Sequence, residues 1–200
     1  MSDEVSTPAD PGRRQLLTVV TAVTGAVGVA FAAVPFLASW KPSARAKALG
    51  APVEIDVSKL EPGAMLKVEW RGKPVWVVRR TPQMFKQLAA ATPFLLDPDS
   101  KASVQPAYAK NESRAARPEY LVVLGVCTHL GCSPLPKFAP ADLTVSADWP
   151  GGFYCPCHGS KFDLAGRVWK GVPAPSNLAV PPYTFVTAGR ILVGADTQPA

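Results

Sequence analysis

All four cysteines and both histidines of the 200-residue chain occur in two short segments. The first runs from Cys127 to Cys132 with the sequence CTHLGC, and the second runs from Cys155 to Ser160 with the sequence CPCHGS. Thiolates and imidazoles are the ligands that zinc and iron prefer in proteins. The distribution therefore predicts that the chain folds so as to bring two separate loops together around one metal centre.

Several kinds of site use these residue types. A tetrahedral zinc site accepts two Cys and two His. Zinc motifs commonly group Cys with Cys and His with His, whereas here each histidine is grouped with a cysteine, and two cysteines are left over. A thioredoxin-like redox motif needs Cys-x-x-Cys, and Cys155-Pro-Cys157 is one residue too short. Two disulfides would leave both histidines without a role. A [2Fe-2S] cluster held by two Cys and two His accounts best for the set, and zinc stays open as the alternative.

The two segments resemble the signature of the Rieske iron-sulfur proteins, and the fuller pattern resembles the Rieske subunit of quinol:cytochrome c reductase, the bc1 complex. The likeness continues through the proline-rich stretch Gly171-Val-Pro173-Ala-Pro175 to Gly194. The resemblance implies one [2Fe-2S] cluster per chain, with ligands divided between its two irons. These are Cys127 and Cys155 on the inner iron and His129 and His158 on the outer iron.

The resemblance also implies a disulfide between Cys132 and Cys157, and a catalytic role for both histidines, with His158 hydrogen-bonded to the quinol. Neutral imidazoles remove negative charge that thiolates would supply, so such a cluster accepts an electron more readily than a four-Cys cluster. The free ring nitrogen gains proton affinity when its iron is reduced. We therefore expect electron uptake from quinol to be coupled to proton uptake.

Two residues that follow the second segment bear on the redox potential. By resemblance, the Ser160 hydroxyl donates to a bridging sulfide, which makes it part of the cofactor site. Phe162 departs from the family, because many relatives have Tyr there as a further donor. We expect the potential to be lower than in a Tyr-bearing relative. An apolar docking tip is expected around the histidines, formed by Leu130, Gly131, Pro173 and Pro175.

The N-terminal quarter of the sequence reads as a membrane anchor. Residues 1–15 form a polar lead that ends with Arg13-Arg14, and residues 16–40 contain no charged side chain. As a helix those 25 positions extend about 37 Å, enough for a bilayer core of about 30 Å. The basic residues that follow the span oppose a cytoplasmic N-terminus. The adjacent arginines nevertheless resemble a twin-arginine export signal, and that resemblance decides the orientation.

We therefore expect a single-pass protein of the bacterial inner (plasma) membrane, with its C-terminal head in the periplasm. Cleavage near Ala44-Arg45-Ala46 is the alternative to a retained anchor. Residues 41–52 read as a flexible neck, which extended would reach about 40 Å, and a helical continuation of the anchor is the alternative. The expected partners are the cytochrome b and cytochrome c1 subunits of a dimeric bc1 complex.

The remaining residues, 53–200, read as an all-β head. We predict an antiparallel β sandwich of the Rieske type, with a small cluster-binding subdomain at about 125–176 and one helix at 83–91. Short strands are predicted as far as the C-terminus, among them Gly166 to Val168 and Leu178 to Val180. Residues 92–118 are polar and aperiodic and read as a surface excursion. The net charge of +6 suits anionic lipid or an acidic partner, whereas no nucleic-acid motif occurs.

Overall fold

The computed structural model describes residues 10–195, and the chain divides into two compact units after Lys47. In the first unit, helix α1 spans Pro11–Ser39. The Asp10 carboxylate caps it by accepting from the Gly12 N–H at 2.9 Å, and Pro11 supplies a preset first turn. The 29 residues extend about 43 Å, and none of them is buried. By length and composition this helix can cross a membrane.

The boundaries of the N-terminal region differ in detail from the sequence prediction. Residues 1–9 of the expected lead lie outside the described residues, and the rest of it, including Arg13 and Arg14, already belongs to α1. In the expected neck, helix α2 spans Ala44–Gly50. Residues 44–50 are therefore helical rather than extended, but residues 40–43 separate this helix from α1, so it is not an unbroken continuation of the anchor. The flexible neck stays a prediction.

In residues 48–195, the described part of the second unit, nine strands form three antiparallel sheets of three strands each. The strands are β1 (Val53–Asp56), β2 (Met65–Trp70), β3 (Lys73–Arg79), β4 (Tyr120–Leu124), β5 (Leu135–Lys137), β6 (Gly152–Tyr154), β7 (Lys161–Phe162), β8 (Tyr183–Thr187) and β9 (Arg190–Val193). Their orders are β1-β9-β8, β2-β3-β4 and β5-β6-β7. The predicted all-β antiparallel head is confirmed.

The β1-β9-β8 and β2-β3-β4 sheets share one hydrophobic core. The β5-β6-β7 sheet, which has the shortest strands and is here called the small sheet, also contributes to it. Strand β3 is the centre of its sheet and buries four consecutive apolar residues, from Val75 to Val78. The β1-β9-β8 sheet adds Ile55, Tyr183 and Ile191 to the same cluster of buried side chains. Members from the small sheet and the loops beside it are Cys127, Phe153, Cys155 and Phe162. Two of the predicted ligand cysteines are thus part of the core.

Helix α3 spans Pro82–Ala91 and begins as the sequence predicts. The Thr81 side chain accepts from the Met84 N–H at 3.3 Å, and proline occupies the first turn. The helix buries Met84 and Leu88 against Leu164 and Ala165 of the cluster-binding region. It therefore links the base of the head to the segment that follows the second loop.

Residues 92–118 lie largely on the surface, as the sequence predicts, but several of their side chains reach into the head. The segment contains two short 3-10 helices, Thr92–Phe94 and Ala107–Ala109, and its Leu95, Ser100 and Arg114 side chains are buried. Polar composition does not exclude such burial when most of the buried polar atoms find hydrogen-bond partners, and among the described residues Arg114 Nε is an exception.

Arg114 shows how such a group is accommodated. Its guanidinium is fully buried and donates to the carbonyls of Ala165 at 3.2 Å and Gly166 at 3.3 Å, and to Gln105 Oε1 at 3.0 Å. Burial lowers the pKa of Arg114 to about 10, so the side chain stays charged at neutral pH. The segment therefore lies on the surface and is tied by Arg114 to the turn at residues 163–167.

Two of the predicted short strands, Gly166 to Val168 and Leu178 to Val180, are wrong. Gly166 has a φ of 71°, which belongs to a turn and not to a strand. The Leu178 N–H donates to the Gly166 carbonyl at 2.8 Å, whereas the Ala179 carbonyl accepts from Leu124 at 2.8 Å. Each segment thus has single hydrogen bonds to different neighbours in place of a ladder.

Candidate metal centre

Two strands of the core lead into the loops that carry the cysteines and histidines. Strand β4 ends at Leu124, shortly before Cys127, and β6 ends at Tyr154, directly before Cys155. Gly125 lies against the indole of Trp76, and a Cβ added there would be 2.0 Å from Cε2 of that ring. Only glycine allows the backbone to pass at this point, so the entry of the first loop is fixed by the core.

Both loops have the same pattern of backbone hydrogen bonds. The N–H of the first cysteine donates to the carbonyl five residues later, and its carbonyl accepts from the glycine four residues later. The distances are 2.7 and 3.0 Å in the loop that begins at Cys127, and 2.8 and 2.9 Å in the loop that begins at Cys155. The two glycines, Gly131 and Gly159, have φ values of 84° and 75°. One turn geometry, made possible by glycine, therefore occurs twice.

The two cysteines outside the disulfide, Cys127 and Cys155, are both buried. Burial raises the pKa of the Cys127 thiol, and the neighbouring Cys155 thiol adds to the rise. The backbone N–H of His129 and the Ser160 hydroxyl act in the opposite direction. Because a metal binds the thiolate, loading of this site releases a proton.

The two imidazoles lie against each other, with ring centroids 4.7 Å apart and ring planes at 90°. His158 is exposed, whereas His129 is half-buried. The Nδ1 atom of His129 is buried, and no residue in the described part of the chain accepts or donates a hydrogen bond there. An unpartnered buried nitrogen is costly in the absence of a ligand, which makes it a suitable metal donor.

Cys132 and Cys157 form a disulfide across the two loops, as the resemblance implies. The sulfurs of Cys132, Cys155 and Cys157 lie within 4.8 Å of one another, which is close enough for three metal ligands. Oxidation to the disulfide removes two of them from coordination. The donors that remain are two thiols and two imidazoles, and this set fits a [2Fe-2S] cluster with mixed ligands as well as a zinc ion.

The segment of residues 171–176, here called the proline loop, is bonded to both ligand loops. The Ala174 N–H donates to Ser160 Oγ at 3.1 Å, and Ser160 is fully buried. The Thr128 hydroxyl donates to the Ser176 carbonyl at 2.6 Å. These two bonds hold the proline loop beside the four donors.

The predicted docking tip is exposed. Leu130 is 71% exposed, and Gly131, Pro173 and Pro175 are exposed as well. An exposed leucine beside an exposed histidine gives this end of the molecule an apolar surface with a polar group in it. Phe162, in contrast, is fully buried in β7.

Sequence reasoning missed two residues that shape this site. Thr128 lies between two predicted ligands, so its position in the motif was a usable signal. Asn177 is buried and hydrogen-bonded to residues far away in the sequence, and no sequence signal pointed to it.

Comparison with known proteins identifies the two parts of the chain. Residues 52–183 match the Rieske [2Fe-2S] domain family, and residues 4–43 match the family described as the ubiquinol-cytochrome c reductase Fe-S subunit TAT signal. The second match, together with α1, fits a membrane-anchored, exported subunit.

Relatives that align over most of their length agree with these matches. The ubiquinol-cytochrome c reductase iron-sulfur subunit of Allochromatium vinosum is 58% identical, over 92% of this chain and 89% of the relative. The subunit of the same name from Rhodospirillum rubrum is 43% identical, over 97% and 100% of the two chains. A chain of a hyperthermophilic respiratory Complex III is 27% identical with a TM-score of 0.46, over 87% of this chain and 98% of that one.

Two thiols and two imidazoles could bind either zinc or a [2Fe-2S] cluster. The family match decides between them, because the family is that of the Rieske [2Fe-2S] domain. The chain belongs to the Rieske iron-sulfur subunits of ubiquinol-cytochrome c reductase, of the bacterial type.

Proposed function

We propose that this chain takes single electrons from ubiquinol at the quinol-oxidation site of cytochrome b and delivers them to cytochrome c1. It does so as one subunit of a dimeric bc1 complex. The observation that carries the proposal is that two disulfide-linked loops carry two buried thiols and two imidazoles in contact, in a chain of this family. The relatives named ubiquinol-cytochrome c reductase iron-sulfur subunits support the choice of reaction.

Four side chains of this chain would hold the cofactor. Cys127 and Cys155 are the proposed ligands of the inner iron, and His129 and His158 are those of the outer iron. When bound, the cluster supplies a one-electron acceptor whose potential is raised by its two neutral ligands. The buried cysteines keep one side of the site inside the core, and the exposed His158 leaves the other side open to a substrate.

His158 is the proposed contact for ubiquinol. Its ring is exposed, so a ring nitrogen can exchange a hydrogen bond with a quinol hydroxyl without any rearrangement of the head. The exposed residues Leu130, Gly131, Pro173 and Pro175 are the proposed apolar surface of this contact, which would favour a hydrophobic quinone-binding partner and displace water. The Ser160 hydroxyl is the proposed donor to sulfur at the centre.

The N-terminal unit is proposed to fix the subunit in the bacterial inner membrane. In this proposal α1 spans the bilayer once, the twin arginines direct export of the folded chain, and the head lies in the periplasm. Replacement of both Arg13 and Arg14 by Lys keeps the charge but removes the guanidinium pair. Protease treatment of spheroplasts should then cleave the wild-type head and spare the variant. Equal cleavage of both would contradict twin-arginine export.

Residues 41–52 are proposed to act as the neck that lets the head serve two partners. Because α2 covers Ala44–Gly50, bending would be restricted to the residues around that helix. Insertion of one further helical turn into α2 should slow quinol turnover and leave the midpoint potential of the cluster unchanged. Unchanged turnover would contradict a role for the neck in moving the head.

Isolation of the complex tests the proposal as a whole. The purified full-length chain should copurify with b- and c-type haem, contain two irons per chain, and give the EPR signal of a reduced Rieske cluster after dithionite. Zinc in place of iron would disprove the cofactor. Iron without any associated haem would point instead to the small subunit of another exported oxidase.

A further inference from the structure

Asn177 directly follows the proline loop and is 1% exposed. Its side-chain oxygen, its side-chain nitrogen and its backbone N–H are all hydrogen-bonded. Its Oδ1 accepts from the Val168 N–H at 2.8 Å, and its Nδ2 donates to the Asp97 carbonyl and to Ser100 Oγ, each at 3.0 Å. Its backbone N–H donates to Ser103 Oγ at 3.2 Å. The side chain therefore connects the end of the proline loop to residues that precede it by more than seventy positions.

Three of the four hydrogen-bond partners of Asn177 belong to one loop within residues 97–103. The Asp97 carboxylate accepts from the Lys101 N–H at 2.7 Å, the Ala102 N–H at 3.1 Å and the Ser103 hydroxyl at 2.7 Å. Burial alone would raise the pKa of Asp97, but these hydrogen bonds outweigh it and lower the pKa. The carboxylate stays ionised at neutral pH, so the loop keeps its shape and offers Asn177 a fixed support.

On the other side, the proline loop determines where the Ser160 hydroxyl points. The Ala174 N–H donates to Ser160 Oγ at 3.1 Å and so occupies one lone pair of that oxygen. The Ser160 side chain is fully buried, so its hydroxyl proton stays available for the sulfur to which the proposed function has it donate. A displaced proline loop would release this oxygen, and the hydroxyl would then be free to rotate away from the sulfur.

We propose that Asn177 is a positioning residue for the metal centre. It holds the proline loop against Ser160 so that the Ser160 hydroxyl donates to sulfur, and residues 97–103 are the support from which it acts. Hydrogen bonds to the sulfurs favour the reduced, more negative cluster and thus raise its potential. The inference rests on the proposed function, because the potential in question is that of the bound cluster.

The test is an EPR-monitored redox titration of the full-length chain in the assembled complex, with Asn177→Ala, Ser160→Ala and the double variant. We expect Asn177→Ala to lower the midpoint potential by less than Ser160→Ala does. We expect the double variant to have the potential of Ser160→Ala alone, because the effect of Asn177 passes through that hydroxyl. An unchanged potential in Asn177→Ala, or additive shifts in the double variant, would overturn the inference.

Asn111→Ala is the matched control. Asn111 lies in the same 92–118 segment, and its carboxamide donates to the Tyr108 and Ala115 carbonyls at 3.0 Å, but it contacts neither ligand loop nor the proline loop. Its replacement should lower thermal stability and leave the potential at the wild-type value. A shift as large as that of Asn177→Ala would mean that general loosening, and not positioning, moves the potential.

A milder variant covers the case in which Asn177→Ala fails to fold. Ser103→Ala removes one partner of Asn177 and keeps the rest, so it should lower the potential by a smaller amount and speed amide hydrogen exchange in residues 171–176. Wild-type potential together with wild-type exchange would overturn the inference. Absence of iron from the wild-type chain would instead overturn the proposed function, so the two failures are distinguishable.

Discussion

The loops that begin at Cys127 and Cys155 share one backbone geometry and differ in what they expose. In the first loop the histidine is the second residue after the cysteine and is half-buried, and the exposed position beside it is Leu130. In the second loop the histidine is the third residue after the cysteine and is exposed. A displacement of one residue on the same turn therefore goes with a half-buried imidazole in the first loop and an exposed one in the second.

The two loops also differ in the residue at which they end. At the fifth position after the cysteine, the first loop has Cys132, which forms the disulfide, and the second has Ser160, which is buried beside the cluster ligands. In the proposed function the shared backbone positions the cofactor, and the unshared side chains provide the disulfide, a hydrogen-bond donor and the contact with substrate. The predictions below are ordered by the expected size of the effect.

The largest expected effect tests whether the two loops contribute equally to metal binding. Cys127→Ala and Cys155→Ala each remove a buried thiol, and Cys132 and Cys157 cannot replace it while they form the disulfide, so each variant should abolish iron binding almost completely. Iron per chain, measured by plasma emission spectrometry, checks this. Ser133→Ala, at an exposed position just past the first loop, should keep full iron content. Retention of iron in one cysteine variant would break the equivalence.

The second prediction concerns the bond that joins the loops. The disulfide spans a sequence separation of 25 residues, and loss of such a cross-link costs about 3 kcal/mol of unfolding free energy in the chain-entropy model. The Cys132→Ser, Cys157→Ser double variant should show that loss in urea unfolding of the full-length chain. A loss below about 1 kcal/mol would mean that other contacts already hold the loops together.

The third prediction tests the shared turn geometry. A Cβ added at Gly131 would meet no atom within 4 Å, and at Gly159 it would meet only the Tyr154 hydroxyl, 3.9 Å away. The cost of Gly131→Ala or Gly159→Ala is therefore that of the left-handed backbone, about 1–2 kcal/mol for each. Equal losses in urea unfolding would support one geometry used twice. Markedly unequal losses would show that the loops differ in their backbone as well.

The fourth prediction addresses the outward side of the first loop. Because Leu130 is 71% exposed, Leu130→Ala should change the unfolding free energy by less than about 0.5 kcal/mol. Quinol turnover of the complex should nevertheless fall, since the proposed contact with the partner loses apolar surface. Leu143→Ala, at an 83% exposed leucine on another loop, is the control and should keep wild-type turnover. Equal turnover in both variants would contradict docking through Leu130.

The smallest expected effect concerns Phe162, the buried residue that follows the second loop. Phe162→Tyr adds a hydroxyl at a fully buried position two residues after Ser160, and we expect a higher midpoint potential because one more donor reaches the sulfurs. A redox titration checks this. An unchanged potential, accompanied by lower stability, would mean that the hydroxyl is buried without a sulfur partner.

The parts of the molecule that depend on local sequence were predictable. The spacing of Cys and His identified both loops, alternating and apolar runs located strands such as β2 and β3, and Thr81-Pro82 marked the start of α3. Each of these signals acts within a few residues, so the chain alone carries it. Strand β5 was missed because Pro136 lies at its centre, and a proline in a short run argues against a strand that in fact lies at a sheet edge.

The parts that depend on distant partners were not predictable. Arg114 reads as a surface residue until its acceptors, Ala165 and Gly166, are known, and they lie about fifty positions away. The same holds for Asn177 and its bonds to residues 97–103. Polar residues such as these are placed by hydrogen-bond partners rather than by periodicity, and a single sequence does not reveal which partners meet.

The position of Cys127 and Cys155 inside the hydrophobic core has a consequence for biogenesis. A chain that reached its final packing without a cofactor would retain two buried thiols and an imidazole nitrogen with nothing to bind. Such a chain would be less stable than a loaded one, so cofactor binding and final packing favour each other. An export route that carries only finished, compact cargo would consequently discriminate between filled and empty subunits.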